Sequence, residues 1–131
     1  PRALSEALAE VCGEVEDTFA ISVQHVTVGD VELSEPIVAV VQAAREAMVN
    51  AAKHAGVQEV SVYAEVEPGK VSVFVRDRGK GFDPDAVPAD RHGLADSIRG
   101  RMTRNGGRCE VRTAIGEGTE VRLEMPVREQ A

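Results

Sequence analysis

One segment shows most directly what kind of domain this sequence forms: residues 34–56, which read SEPIVAVVQAAREAMVNAAKHAG. Ser34 is a favourable N-cap, and Pro36 sits in the first turn, where its missing N–H group costs little. Gly56 can end the helix. The apolar positions between these signals recur with a period of 3.6 residues and form one stripe: Ile37, Val40, Val41, Ala44, Met48, Ala51, Ala52 and Ala55. The segment therefore predicts a long amphipathic helix with one face in a hydrophobic core.

The sequence on both sides of this helix predicts the remaining elements. An earlier helix, about residues 3–17, is followed by a β-branched strand, about 20–28. Alternating valines around Pro68-Gly69 predict a hairpin, and a third helix ends near Gly106-Gly107. The two final strands are expected at about 108–114 and 119–125. Three helices and five strands, mostly joined by hairpins, predict an α+β fold: a two-layer α/β sandwich with a mixed sheet of about five strands, covered on one face by three helices.

Composition limits the size and the class of this domain. The chain has 131 residues, of which 43% are apolar, and this fits one globular domain spanning residues 1–131. A formal net charge of -7 argues against direct nucleic-acid binding, and no run approaches the roughly 20 apolar residues that cross a bilayer, so this domain is expected to make no membrane contact. Because Pro1 leads directly into a helical pattern, the sequence is expected to be part of a longer protein that could hold a membrane anchor elsewhere.

Polar residues lie opposite the apolar stripe of the long helix. Glu46, Asn50 and Lys53 fall within about 60° of one another at 100° per residue, and His54 follows. Asn50 offers a neutral oxygen suited to Mg²⁺, Glu46 can orient water or accept a proton, and Lys53 can bind phosphate, with His54 as a further donor. A solvated helix face would show the same polarity. Ala43 and Val49 favour a ligand, because they place small apolar groups on this face.

A short turn with two glycines follows the predicted hairpin. Asp77 is followed by Gly79 and Gly81, which can adopt positive φ or let the backbone approach a planar ligand. A carboxylate there can accept the amino protons of adenine, whereas guanine presents a carbonyl oxygen at the equivalent place and leaves an unpaired polar contact. An ordinary Asx turn would also explain the pattern.

Two further segments are weak signals alone and become informative only together with the two described above. Residues 85–91 follow Pro84, contain Pro88 and are expected to form a lid-like loop. After this loop, Gly93 is expected to open the third helix with N–H groups free for phosphate. The arginines that follow on this helix are expected mainly on a solvated face: Arg99, Arg101 and Arg104. The stretch Gly116-Glu-Gly118-Thr119 fits either a nucleotide motif or the tight turn of a terminal hairpin.

In their order along the chain, these four segments resemble the motifs of the GHKL superfamily, the ATP-binding fold of sensor histidine kinases, type II topoisomerases and some chaperones. Residues 45–55 (REAMVNAAKHA) resemble the N-box, residues 77–82 (DRGKGF) the first glycine box, residues 92–94 (HGL) the second and residues 116–119 (GEGT) the third. The Lys-His-Ala ending of the N-box and the short lid look most like the branch of bacterial histidine kinases that includes nitrate and membrane-fluidity sensors.

The resemblance implies a Bergerat ATP-binding fold, and it implies roles for residues at matching positions. Asn50 would hold Mg²⁺, Asp77 would recognise adenine, and Gly93 would meet phosphate, while Glu46 would have a catalytic supporting role. The ATP-binding residues implied in this way are Asn50, Lys53, His54, Asp77, Gly79, Gly81, His92, Gly93, Leu94, Gly118 and Thr119. The second box departs from the pattern, since His92 stands where relatives often have another glycine.

The implied function is the Mg-ATP-binding catalytic domain of a sensor histidine kinase, located in the cytoplasm. None of His25, His54 and His92 is placed as a phosphoacceptor, so the γ-phosphoryl would go to a histidine on an upstream dimerisation helix outside this sequence and then to a response regulator. Two alternatives stay open. The first is a GHKL ATP-dependent switch or an anti-sigma-type serine kinase, and the second is an interaction domain that has lost ATP binding, against which Asn50 and Asp77 argue.

Overall fold

The fold is seen in a computed structural model that describes residues 2–54, 56–81 and 89–127, with the backbone alone for residues 54 and 89–95. Within these ranges the elements follow in the order α1 (Leu4–Phe19), β1 (Ser22–Val28), α2 (Glu35–His54), β2 (Glu59–Glu67), β3 (Lys70–Asp77), α3 (Ala89–Arg104), β4 (Arg108–Ala114) and β5 (Gly118–Pro126). No helix in this part of the chain is long and apolar enough to span a bilayer.

The five strands form one mixed sheet in the order β1-β2-β3-β5-β4. β1 and β2 are parallel, and the other three neighbouring pairs are antiparallel. A parallel pair requires a crossover connection, which α2 supplies, whereas β2–β3 and β4–β5 are joined by tight turns. The predicted α+β fold with a mixed five-stranded sheet is confirmed.

The sheet buries one face against the helices. Side chains alternate along each strand, and the inward positions are almost fully buried: Val60, Val62, Ala64, Val71, Val73, Val75, Leu123 and Met125. α1 packs beside β1, α2 over the centre of the sheet and α3 beside β4. Each buried valine contributes about 1.5–3 kcal/mol relative to an exposed one. The other face meets solvent, where Val26 is 55% exposed and Tyr63 is 39% exposed.

The apolar stripe of α2 lies in the core as predicted. Its members from Ile37 to Ala51 are buried, Ala52 is half-buried, and Ala55 lies outside the described residues. Ala43 and Val49 were expected on a ligand-binding face, but Ala43 is fully buried and Val49 is half-buried against the core. The expectation for Ala43 is wrong because it lies on the flank of the stripe next to the positions of α2 that contact α3, so helix packing accounts for its small apolar side chain.

The third helix begins earlier than predicted. α3 starts at Ala89, so residues 89–91 are helical, and the remainder of the predicted loop, residues 85–88, lies outside the described residues. Gly93 therefore lies in the second turn of α3 rather than at its start. Proline is tolerated at the first turn of a helix, so the prolines in this part of the sequence did not exclude a helix that starts at Ala89.

Candidate functional site

The chain topology brings the predicted motifs to one end of the sheet. Asp77, the last residue of β3, pairs with Val60 at the start of β2 and with Thr119 at the start of β5. α2 ends at His54, and only a short loop separates it from the start of β2 at Glu59. The last turn of α2, with the N-box residues, therefore lies at the same end of the sheet as Asp77 and Thr119.

Asp77 is held at this end with one carboxylate oxygen bound and one available. The side chain is 6% exposed, and its Oδ1 accepts a hydrogen bond of 2.9 Å from the Gly79 N–H. This bond is the Asx turn that the sequence analysis kept as an alternative. In the described part of the chain Oδ2 receives no hydrogen bond, so the same carboxylate that forms the turn retains an oxygen that can accept a proton from a ligand.

Thr119 faces the same side of the sheet as Asp77 and is 8% exposed. Its hydroxyl lies 2.9 Å from the Thr113 hydroxyl, and the Thr113 hydroxyl lies 3.2 Å from the Gly118 carbonyl oxygen. Thr113 therefore holds the Thr119 side chain beside Asp77. Sequence reasoning missed this residue, because its position depends on the pairing of β4 with β5.

Two of the motif glycines are required by close backbone packing. Gly118 has φ of 79°, and a Cβ atom there would lie 2.2 Å from the Asp77 carbonyl oxygen. Gly81 has φ of 62°, and its Cβ would lie 2.0 Å from the Ala114 carbonyl oxygen. The Gly116 N–H donates to the Lys80 carbonyl oxygen at 2.6 Å and joins the same two segments. The first and third glycine boxes therefore pack on each other, which positions Asp77.

Asn50 carries the least satisfied polar atom of the site. Its Oδ1 is buried and accepts no hydrogen bond from any residue that the structure describes. A buried acceptor without a donor costs about 1–3 kcal/mol, so a group that supplies positive charge or a donor is expected there. A hard cation such as Mg²⁺, which binds through few protein oxygens, fits this requirement. The residues described in the structure contain no cluster of three His, Cys, Asp or Glu that would hold a metal instead.

The other two N-box residues, Lys53 and His54, lie at the C-terminal end of α2. The Lys53 side chain is exposed and makes no ion pair within the described ranges, so its ammonium group is available to an anion. His54 is the last residue of α2, and its side chain lies outside the description. The exposure of Lys53 is as expected for a group that meets a charged ligand at the protein surface.

Glu46, the predicted catalytic residue, is bound by α3. Its Oε1 lies 2.7 Å from the Arg101 guanidinium, and its Oε2 accepts a hydrogen bond of 3.2 Å from the Ser97 hydroxyl. Arg101 also donates to Gln42 Oε1 at 2.8 Å. A solvated face was expected for most of the arginines of α3, and Arg99 and Arg104 are exposed. Arg101 differs because Ser97 and Arg101 are one helical turn apart and share the face of α3 that packs on α2.

The second glycine box lies within α3. Gly93 is the fifth residue of α3, so the expectation that it opens this helix is wrong, whereas its contact with phosphate stays a prediction. The side chains of His92 and Leu94 lie outside the description. α3 ends three residues before β4, at the far end of the sheet, so its first turns lie at the end that carries Asp77.

One shallow cleft lies at this end of the sheet. The cleft has a volume of about 440 Å³ and is lined by Asp77, Gly118 and Thr119 together with outward-facing residues such as Arg76 and Arg112, but by no residue of α2. A larger groove of about 940 Å³ lies at the opposite end of the sheet, between residues 30–37 and 66–69. Neither space includes Asn50 or Lys53, so the candidate site is defined by the motif residues at the Asp77 end of the sheet and not by either cleft.

Two sensor kinases are similar in sequence to this chain. The sensor histidine kinase LiaS of Bacillus subtilis (strain 168) is 32% identical over 83 residues, which are 63% of this chain and 23% of LiaS. The signal transduction histidine-protein kinase/phosphatase DegS of Brevibacillus brevis is 27% identical over 107 residues, 82% of this chain and 28% of DegS. The chain therefore spans about a quarter of the length of these relatives.

A solved structure and a family profile complete the comparison. The mycobacterial sensor histidine kinase MprB has a TM-score of 0.75 at 20% identity, covering 98% of this chain and 97% of that chain, which shows a shared fold. The profile of the family described as histidine kinase-, DNA gyrase B- and HSP90-like ATPase matches residues 36–129 and so contains all four motifs. The chain belongs to this family of ATPases.

Proposed function

We propose that this chain is the Mg-ATP-binding catalytic domain of a sensor histidine kinase. The observation that carries the proposal is the buried Asn50 Oδ1, which has no donor in the described residues and lies about one turn before the end of α2 at His54. A protein selected only for stability would fill this position with an apolar side chain. The names of LiaS and DegS support the kinase assignment within the ATPase family.

Adenine recognition is assigned to Asp77. Its Oδ1 is held by the Gly79 N–H, so the carboxylate has a fixed direction, and Oδ2 is left to accept a proton of the adenine amino group. Thr119, held by Thr113, would lie near the same ring. Guanine would place a carbonyl oxygen against the carboxylate, which predicts a strong preference for ATP over GTP.

Phosphate binding is assigned to the residues of α2. Asn50 would contribute an oxygen to Mg²⁺, which completes its coordination with phosphate oxygens and water, and Lys53 would add a positive charge. His54, Gly79, Gly81 and the second box would line the remaining phosphate path. Phosphoryl transfer depends mainly on positioning and charge neutralisation, so these residues need not form a covalent intermediate. Glu46 would support the site rather than contact the metal.

The proposal also includes a phosphoacceptor histidine and a response regulator as partners. The γ-phosphoryl would be donated to a histidine on an upstream dimerisation and phosphoacceptor domain of the parent protein, and then to an aspartate of a response regulator. The proposal includes a cytoplasmic location, since ATP and response regulators are found there. It includes no direct contact with nucleic acid, in keeping with the net charge of -7.

Calorimetric titration with a non-hydrolysable ATP analogue, with and without Mg²⁺, tests the nucleotide site. We expect saturable binding that prefers ATP over GTP, weakens in Asp77→Asn and loses its Mg²⁺ dependence in Asn50→Ala. Asp17→Asn makes the same charge change on the exposed face of α1 and should bind as the wild type does. Absence of binding to a folded wild-type domain would contradict the proposal.

Phosphotransfer is tested with the parent protein. Radiolabelled ATP should label a histidine upstream of this domain, and the label should be acid-labile and should pass to a response regulator. A label on serine would instead favour the anti-sigma-type kinase.

A further inference from the structure

One arginine of α3 makes polar contacts with two side chains of α2. Arg101 contacts Glu46 at 2.7 Å with Nη2 and donates to Gln42 Oε1 at 2.8 Å with Nη1. The two acceptors are four residues apart on α2, so they stand one above the other on the same helix face. The Arg101 side chain is 28% exposed and that of Glu46 is 22% exposed, which places the pair in the interface rather than on the open surface.

From this contact we infer that Arg101 is a positioning residue for the nucleotide site: it turns the Glu46 carboxylate toward α3 and neutralises its charge one helical turn from Asn50. The inference rests on the proposed function, because it concerns the binding of a polyanion beside Asn50. It assigns Arg101 an effect that passes through Glu46, with no direct contact between Arg101 and the nucleotide.

Electrostatic repulsion explains why neutralising Glu46 should favour nucleotide binding. Four residues of helix rise about 6 Å, so an uncompensated Glu46 carboxylate would stand close to a metal-bound triphosphate at Asn50. Two negative charges at such separations repel appreciably in the partly desolvated edge of a protein. Pairing with Arg101 removes most of this repulsion, and the Ser97 hydroxyl fixes the second carboxylate oxygen at 3.2 Å.

Geometry explains why the residue is arginine. A planar guanidinium donates to two acceptors in fixed directions, and here these acceptors are Gln42 and Glu46. A lysine would keep the charge but present a single point donor. Arg101→Lys should therefore retain most of the charge effect, while Arg101→Gln should lose it.

The test compares affinities for a non-hydrolysable ATP analogue in the presence of Mg²⁺. Arg101→Gln should weaken binding roughly tenfold, which corresponds to about 1.4 kcal/mol. The double variant Arg101→Gln with Glu46→Gln should restore affinity to within about twofold of the wild type, since the repelling charge is gone. Arg104→Gln is the matched control, because it removes the same charge from the exposed face of the last turn of α3 and should leave the affinity unchanged.

Thermal unfolding of each variant separates this role from a purely structural one. A structural role predicts that affinity follows the melting temperature and that the double variant stays as weak as Arg101→Gln, and this outcome would overturn the inference. Unchanged affinity in Arg101→Gln would overturn it as well, with ATP binding and the proposed function intact. A folded wild type that binds no ATP analogue would overturn both.

Discussion

Replacing Asn50 with leucine should stabilise the nucleotide-free protein and abolish its Mg²⁺-dependent binding of ATP. The Asn50 Oδ1 is buried and accepts no hydrogen bond from the residues described. Such an atom costs about 1–3 kcal/mol, and leucine has a similar size without the polar oxygen. We expect the free energy of unfolding to rise by about 1–2 kcal/mol, equivalent to an increase of about 3–8 °C in melting temperature for a domain of this length.

The assay is urea and thermal unfolding without nucleotide, followed by titration with the ATP analogue. Asn105→Leu is the control, because the Asn105 side chain donates to the Arg101 carbonyl oxygen at 2.8 Å and its loss should destabilise the fold. If Asn50→Leu lowered the free energy of unfolding as much as Asn105→Leu does, Asn50 would be a structural residue and the reasoning from its unpaired oxygen would be refuted.

Three further predictions concern backbone packing, pH and thiol reactivity. Gly118→Ala should lower the melting temperature and weaken ATP binding, because its Cβ would meet the Asp77 carbonyl oxygen at 2.2 Å; normal binding and stability would contradict this. Partial burial tends to raise the Asp30 pKa, but hydrogen bonds from Ser5 and Val31 outweigh it and lower that pKa, so Asp30 stabilises the fold above its unfolded pKa. This stability should be lost as the pH falls below about 4, and urea unfolding of Asp30→Asn should show a weaker acid dependence. Burial, with a smaller contribution from the charge of Glu16, raises the pKa of Cys12 to about 11, so iodoacetamide at pH 8 should alkylate Cys12 only after unfolding, as mass spectrometry can show.

The candidate site was predictable where it depends on local patterns. The N-box residues share one helix, and their common face follows from the 3.6-residue period alone. The turn at Asp77 follows from two glycines after an alternating strand, and its Asx bond to Gly79 is local. The residues that complete the site were not predictable in this way. Thr113 reaches Thr119 through strand pairing, and Arg101 reaches Glu46 from a helix more than fifty residues later in the chain.

The start of α3 shows a second limit of prediction from local sequence patterns. Prolines in residues 84–88 suggested an irregular lid that extended to Arg91, whereas the helix begins at Ala89. A proline can occupy either a loop or the first turn of a helix, so tertiary contacts decide where the loop ends and the helix begins. Here α3 gains its contacts with α2 through Ser97 and Arg101, well beyond the ambiguous segment.

By itself the sequence determined the elements of this protein and the order of its motifs, because periodicity, helix caps and tight turns act between residues that are neighbours along the chain. The tertiary structure decided which elements touch. The placement of β5 between β3 and β4 puts Gly118 against the backbone of Asp77, and the packing of α3 on α2 pairs Arg101 with Glu46. These contacts depend on how the whole sheet buries its apolar face, and no local pattern specifies that arrangement.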